Sequence, residues 1–212
     1  MSKYREKLYP LLSNFFNERG FILKKTKDSY EKKVGDFKYV FQLYFHHYSS
    51  ELAIEIHINI YHLPTQKIHK KATGFDSFDI IGCEAGRLVN NITNKDYRIT
   101  NNEYFDIIIH PEDTLDYAYE KITFILSEIA EPYFKEYGNL TVIDKVLNDK
   151  PNIISLHKNE QYFRYPIGLI VAKLNKRKNY KELEEQYDIL IKEMSEMYIE
   201  RYYQVKEYLK NI

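Results

Sequence analysis

The sequence predicts an α+β fold: a twisted antiparallel sheet with one long hairpin in the N-terminal half, flanked by an N-terminal helix and a C-terminal helical region. Three observations lead to this prediction. Apolar and polar residues alternate through residues 39–61, the first 20 residues show helical apolar spacing, and helical spacing returns after residue 111. Because strands come first and helices follow, the order favours an α+β arrangement over parallel βαβ units.

Composition sets the class of protein. The chain has 212 residues, of which 44% are hydrophobic and 29% charged, so it can bury a substantial core. Lys+Arg and Asp+Glu are both 31, and this zero net charge gives no overall attraction to nucleic acid or to an anionic membrane. We expect a single domain over 1–212, with 1–110 mainly sheet plus the first helix and 111–212 helical.

Targeting features are missing from the sequence. The single cysteine, Cys83, excludes an internal disulfide framework. Residues 1–7 are polar where a signal peptide needs an apolar stretch, and no apolar run reaches the roughly 18 to 20 residues that cross a bilayer. The sequence therefore predicts a cytoplasmic protein without a membrane span.

A helix opens the chain and short strands follow it. The apolar residues of the helix recur every three or four positions: Leu8, Leu11, Leu12, Phe15 and Phe16. Gly20 stands where a left-handed C-terminal cap is expected, and Pro10 indicates that the helix begins near it or is kinked there. Strands are predicted at 21–26 and 29–34, with a turn at Gly35-Asp36.

The clearest pattern is a hairpin. Its inward-facing apolar residues are Tyr39, Phe41, Leu43, Phe45, Leu52, Ile54, Ile56, Ile58 and Ile60. If Ser49-Ser50 forms a two-residue turn, Tyr48 lies opposite Glu51 and every large apolar side chain lies on one face. A slip of one residue would turn one strand's apolar set to solvent, so the pattern fixes the parity of the register.

The remaining segments are predicted with less detail. Residues 63–73 are polar and are expected to form an exposed loop, whereas 75–88 fit neither helix nor strand clearly. A strand is expected at 104–109, and a long helix should start at Pro111 and end or bend at Pro132. Further helices are predicted at 140–147, 166–174 and 180–209.

The opposite face of the hairpin is polar, and we call it the outer hairpin face. Its residues are Gln42, Tyr44, His46, Glu55, His57, Asn59 and Tyr61. Such groups could form a binding surface, or a catalytic floor with Glu55 or His57 as general base beside Tyr44. A polar outer face is also what a half-buried antiparallel sheet requires, and this simpler interpretation is favoured.

Metal and cofactor motifs are lacking. Glu55 and His57 point the same way and His46 lies diagonally nearby, but a catalytic zinc site usually needs three protein ligands. No HExxH, HxH or CxxC motif occurs, so no metal site and no cofactor are predicted. Cys83, between glycines, lacks an identifiable histidine partner and is expected to be a buried structural residue.

Basic residues occur in three local clusters. They are Lys24, Lys25, Lys27, Lys32 and Lys33; Lys67, Lys70 and Lys71; and Lys173, Lys176, Arg177 and Lys178. The clusters are far apart in sequence and acids such as Asp28 and Glu31 lie among them. With zero net charge, this pattern is more typical of solvated strand and loop ends than of a nucleic-acid site.

One resemblance extends over most of the chain. It rests on Leu11-Leu12 to Phe15, Gly20-Phe21, Tyr30, Phe37 to Phe45, Pro132-Tyr133-Phe134 and the terminal helical hairpin. In these features the chain resembles the bacterial domain-of-unknown-function family numbered forty-three zero four. The resemblance implies a small α+β protein, and some similar proteins act as immunity partners of secreted toxins. It transfers no catalytic residue, and residues 75–102 depart from it.

The leading functional hypothesis is a non-enzymatic protein of the immunity or adaptor type. Such a protein would present the outer hairpin face or the lysine-rich segments to a toxin-like protein partner. An intact core pattern without a catalytic set favours it over an enzyme. The first alternative is a small-molecule enzyme that uses Glu55, His57 and Tyr44 beneath a lid at 63–73, and the second is nucleic-acid binding through the lysine clusters.

Overall fold

The structure is a computed structural model that describes residues 2–77, 79–92, 107–110, 113–155, 157–158 and 160–212. Two compact units make up the chain, each from two segments. The first unit comprises Met1–Asn59 and Cys83–Lys135, and the second comprises Ile60–Gly82 and Glu136–Ile212. The expectation of a single domain over 1–212 stays a prediction.

The described strands all lie before residue 111, two helices lie among them, and the described elements after residue 113 are all helical. The strands are β1 (Ile22–Lys24), β2 (Ser29–Val34), β3 (Phe37–His47), β4 (Leu52–His62), β5 (Ile81–Glu84) and β6 (Ile107–Ile109). The helices are α1 (Ser2–Glu18), α2 (Leu63–Thr73), α3 (Ala85–Ile92), α4 (Leu115–Ile125), α5 (Glu131–Tyr137), α6 (Leu140–Asn148), α7 (Gln161–Leu174), α8 (Tyr180–Leu190) and α9 (Glu196–Lys210). In the described part of the chain, β1 to β5 follow one another across a single sheet and β6 pairs antiparallel with β4. This confirms the predicted fold class.

The long hairpin of β3 and β4 is confirmed. The Tyr48 amide donates to the Glu51 carbonyl at 3.0 Å, which is the closing pair expected from a turn at Ser49-Ser50. Seven of the nine residues predicted to face inward are buried, Tyr39 and Phe45 are half-buried, and Phe41 and Ile56 are both 0% exposed. Burial of the alternate apolar residues therefore holds the two strands in register.

Helix α1 packs its apolar stripe on the inner face of the sheet in the first unit. Phe16 stacks on Tyr30 of β2 with ring centroids 3.8 Å apart, and it meets Phe41 of β3 edge-on at 5.3 Å. Pro10 lies inside the helix, so the helix does not begin there. Gly20 ends the element with φ +79°, as the predicted left-handed cap requires.

The helical path continues past Pro132, where an end or a bend was predicted. A π-helical stretch, Leu126–Ala130, joins α4 to α5, and the Glu131 amide donates to the Leu126 carbonyl five residues back. The wider turn comes directly before the proline, which has no N–H to donate. The helix predicted to start at Pro111 starts instead at Leu115, after an extended Thr114. Of the strand predicted at 104–109, residues 107–109 form β6, and residues 104–106 lie outside the described residues, as does Pro111.

The second unit is helical, and two predictions made for it are wrong. Residues 63–73 form α2 and not a loop, with Gly74 at φ 78° as its C-terminal cap. The helix predicted at 180–209 is two helices, because a 3-10 turn at Ile191–Glu193 and an extended Met194 separate α8 from α9. The helix predicted at 166–174 starts earlier, at Gln161, and contains Pro166.

Aromatic and aliphatic side chains from α7, α8 and α9 form the core of this unit. Its buried members include Tyr165, Leu169, Ile170, Leu183, Tyr187, Tyr202, Val205 and Leu209. Among the described helices, none combines the length and the apolar character that crossing a membrane demands.

Candidate functional site

Four residues of the outer hairpin face contact one another in the first unit. The Tyr44 ring meets the His57 ring edge-on at 4.8 Å, and His46 Nε2 lies 3.1 Å from Glu55 Oε2. Both contacts join residues that are diagonal neighbours in the predicted register, as same-face side chains of twisted antiparallel strands often are. The strand pairing therefore brings together groups that are 9 to 13 positions apart in the sequence.

Glu55 is the centre of this arrangement. Its Oε1 lies 2.5 Å from His57 Nε2 while its Oε2 faces His46, so both carboxylate oxygens have an imidazole partner. The Glu55 side chain is 23% exposed and that of His57 is 28% exposed. The carboxylate is thus held in place by two rings and remains accessible from solvent.

Sequence reasoning did not identify a further member, Glu84. It is the last residue of β5, which lies beside β4 in the sheet. One ligand atom each from Glu55, His57 and Glu84 lie within 4.8 Å of one another. Glu84 lies within residues 75–88, which fit neither helix nor strand clearly in the sequence. The only sequence signal that could have placed Glu84 on a strand is the short alternation of Ile81 and Cys83 with Gly82 and Glu84. We call Tyr44, His46, Glu55, His57 and Glu84 the Glu55 cluster.

Three residues of the outer hairpin face do not belong to the Glu55 cluster. The Gln42 side-chain amide donates to the backbone carbonyls of Lys27 and Asp28, which fixes it against the turn before β2. Asn59 is half-buried, and Tyr61 belongs to the second unit. Of the predicted site residues, four therefore contact one another around Glu55, whereas Gln42, Asn59 and Tyr61 lie outside this group.

No protein-family model, curated protein or solved structure matches the chain. The resemblance to the family numbered forty-three zero four stays a prediction.

Cys83 takes no part in the Glu55 cluster. It is buried at 6% exposure, and it alternates with the half-buried Gly82 and Glu84 along β5. Because successive side chains of a strand point to opposite faces, the thiol faces away from the Glu84 carboxylate. Its burial is what the sequence led us to expect.

A second polar cluster in the first unit is internally satisfied. Arg5 and Tyr9 of α1 both donate to the Asp28 carboxylate, beside a cavity of about 340 Å³ lined by residues of α1 together with Leu23 and Lys25. Burial and the Asp28 hydrogen bond raise the pKa of Tyr9 to about 12. The arrangement joins α1 to the turn at Asp28.

Several of the lysine-cluster residues are paired with acids. Lys70 Nζ lies 2.7 Å from Asp76 Oδ1, and Arg177 Nη2 lies 2.8 Å from Asp149 Oδ1. Such pairs reduce the positive charge that a phosphate backbone would meet. Nucleic-acid binding stays a prediction, and these contacts lend it no support.

Proposed function

We propose that this protein is a non-enzymatic binding protein of the immunity or adaptor type that presents its outer hairpin face to a protein partner. The observation that carries the proposal is a pair of exposed tyrosines, Tyr44 in β3 and Tyr48 directly after its last residue. Tyr44 is 44% exposed and Tyr48 is 52% exposed, and they lie on either side of His46 at alternate positions. Tyrosine is among the residues that contribute most to binding energy at protein interfaces.

The rigidity of the support is consistent with such a surface. The residues under the outer hairpin face are fully buried, with Ile54, Ile56 and Ile58 each 0% exposed. His46 and His57 are held by hydrogen bonds to Glu55. A surface that is already ordered loses less conformational entropy when a partner binds, which favours affinity.

The partner class and the location rest on the resemblance. Similar proteins that act as immunity partners of secreted toxins suggest a toxin-like protein as the partner, encountered in the cytoplasm of a bacterium. Both remain part of the proposal, as does the bacterial origin of the chain.

Affinity purification with matched variants tests the proposal. The double variant Tyr44→Ala/Tyr48→Ala removes the exposed Tyr44 ring of the outer hairpin face and the exposed Tyr48 ring next to it. The control Tyr117→Ala/Tyr203→Ala removes two other exposed rings, which are 37% and 41% exposed in the described structure. We expect a lysate protein that is retained by the wild type and the control but lost by the Tyr44/Tyr48 variant. Identical retained proteins for all three baits, or none for the wild type, would refute the proposal.

The enzymatic alternative has weaker support. It required a lid at 63–73, and those residues form α2, which belongs to the second unit. A catalytic role for Glu55 as general base, with His57 and Tyr44 beside it, stays a prediction. The loop at 63–73 that was expected to cover these residues is a helix.

A further inference from the structure

A group of oxygen and nitrogen donors on the outer hairpin face has the composition of a metal site. Glu55 and His57 point outward from β4, and Glu84 at the end of the neighbouring β5 brings a second carboxylate to them. Their ligand atoms lie within 4.8 Å of one another, and all three residues are half-buried. We propose that Glu55, His57 and Glu84 bind one divalent transition-metal ion. This goes beyond the proposed partner binding and does not depend on it.

The spacing of the donors suits an ion after small side-chain movements. Zinc binds carboxylate oxygen and imidazole nitrogen at about 2.0–2.2 Å, which puts two tetrahedral ligands roughly 3.3 to 3.5 Å apart. The widest separation, 4.8 Å, must therefore shorten, while the 2.5 Å between Glu55 Oε1 and His57 Nε2 must lengthen. Each change is about 1 Å or somewhat more, within what glutamate side chains cover by rotamer adjustment.

Charge explains why an ion would be retained. Glu55 and Glu84 bring two carboxylates close together, and two like charges at this separation repel each other. A divalent cation between them removes the repulsion and makes the ligand set neutral. Binding must outweigh the loss of the hydrogen bond between Glu55 and His57.

The ligand types select the class of ion. Two carboxylates and one imidazole suit the borderline ion Zn²⁺ and also the harder Mn²⁺, whereas Mg²⁺ and Ca²⁺ prefer oxygen ligands throughout. No thiolate contributes, because Cys83 is on the opposite face of β5 from Glu84. Three protein ligands leave at least one coordination position for water or for a group from another molecule.

Neighbouring side chains hold two of the ligands in orientation. His46 Nε2 lies 3.1 Å from the outer oxygen of Glu55, and Arg87 Nη1 lies 3.6 Å from Glu84 Oε1. Partners of this kind orient ligating carboxylates, and their loss lowers metal affinity roughly 10- to 100-fold. In this scheme His46 and Arg87 are positioning residues, and neither needs to contact the ion.

Isothermal titration of the full chain with Zn²⁺ or Mn²⁺ tests the site. The variant Glu84→Gln keeps the size of the side chain and removes its charge. Glu131→Gln is a matched control, because Glu131 is 37% exposed and 3.6 Å from Arg19, as Glu84 is 38% exposed and 3.6 Å from Arg87. We expect one ion per wild-type chain, unchanged affinity for Glu131→Gln, and affinity at least tenfold lower for Glu84→Gln and for His57→Gln.

Other outcomes overturn the inference. No binding by the wild type would do so, and so would equal binding by all variants, which would indicate adventitious ions on other histidines. Far-UV circular dichroism confirms that each variant is folded. As a second readout, Co²⁺ bound to the wild type should give visible d–d absorption that Glu84→Gln loses.

Discussion

Gly168 of α7 offers a sharp test of the packing in the second unit. The Tyr187 hydroxyl donates to Asn148 Oδ1 at 2.5 Å, and Asn148 Nδ2 donates to the Gly168 carbonyl at 3.0 Å and to Asp144. All of this lies in the interior, and burial raises the pKa of Tyr187, so its hydroxyl stays protonated and donates. A methyl group at Gly168 would stand 2.5 Å from Asn148 Oδ1 and 2.6 Å from Tyr187 Oη.

The expected cost of Gly168→Ala follows from these distances. Alanine gains about 1 kcal/mol over glycine in helix propensity. Overpacking costs roughly 1–3 kcal/mol, and separating the Tyr187–Asn148 pair leaves buried polar atoms unsatisfied at about 1–3 kcal/mol. We therefore expect a net loss of about 3 kcal/mol, although this substitution in an uncrowded helix would stabilise the protein.

Urea denaturation followed by far-UV circular dichroism measures this loss. Tyr187→Phe removes the hydroxyl that the new methyl would strike, so the double variant should lose less stability than the sum of the two single variants. A Gly168→Ala protein as stable as the wild type would refute the reasoning, and additive losses would show that the methyl and the hydroxyl do not meet.

Three further results follow from the structure. Arg164 is 1% exposed and donates to the carbonyls of Leu147 and Lys150 at the end of α6, so Arg164→Leu should cost about 3 kcal/mol or more in urea denaturation. Burial lowers the pKa of His157 from 6.5 to about 4. Because the unfolded chain binds this proton first, stability should fall as the pH drops below about 6.5, by about 2 kcal/mol at pH 5, and His157→Phe should show a shallower pH dependence. Ile56→Ala should lower the free energy of unfolding by about 2–5 kcal/mol, and a loss below 1 kcal/mol would contradict the burial of that strand.

The hairpin could be predicted from sequence because its alternation is long and strict. From Tyr39 to Ile60 the apolar set has period two, and a single register buries all of it. The same pattern located Tyr44, His46, Glu55 and His57 on one face, where they do meet. Local pattern and global fold agree in this part of the chain.

Helix α2 was missed because its buried side chains are polar, while its apolar residues Ile68 and Ala72 are only partly buried. Thr65, His69 and Thr73 are spaced four apart and buried, which is helical periodicity without apolar residues. Their polar atoms are satisfied locally, since Thr73 Oγ1 donates to the His69 carbonyl at 2.9 Å and Thr65 Oγ1 lies 2.9 Å from His62 Nδ1. A search for apolar periodicity cannot detect such a face.

The break between α8 and α9 and the place of Glu84 were beyond sequence reasoning for different reasons. Apolar spacing continues through Leu190, Met194 and Met197 as it would in one helix, yet Met197 is 47% exposed because the chain has turned. Glu84 joins the Glu55 cluster through strand neighbours that are far apart in the sequence. Such a meeting depends on the topology of the sheet and not on any local pattern.

Because each compact unit consists of two separate stretches of chain, synthesis and folding cannot proceed unit by unit. The first unit is complete only after residue 135 has been synthesised. By then residues 60–82 have also been synthesised, but residues 136–212, which form the rest of the second unit, have not. Helix α2 (Leu63–Thr73) packs on α7 and α9, so it cannot form its native contacts until those two helices have been synthesised. A stop codon placed after residue 135 would thus leave residues 60–82, the shorter segment of the second unit, attached and without the helices that α2 packs on, a state prone to aggregation.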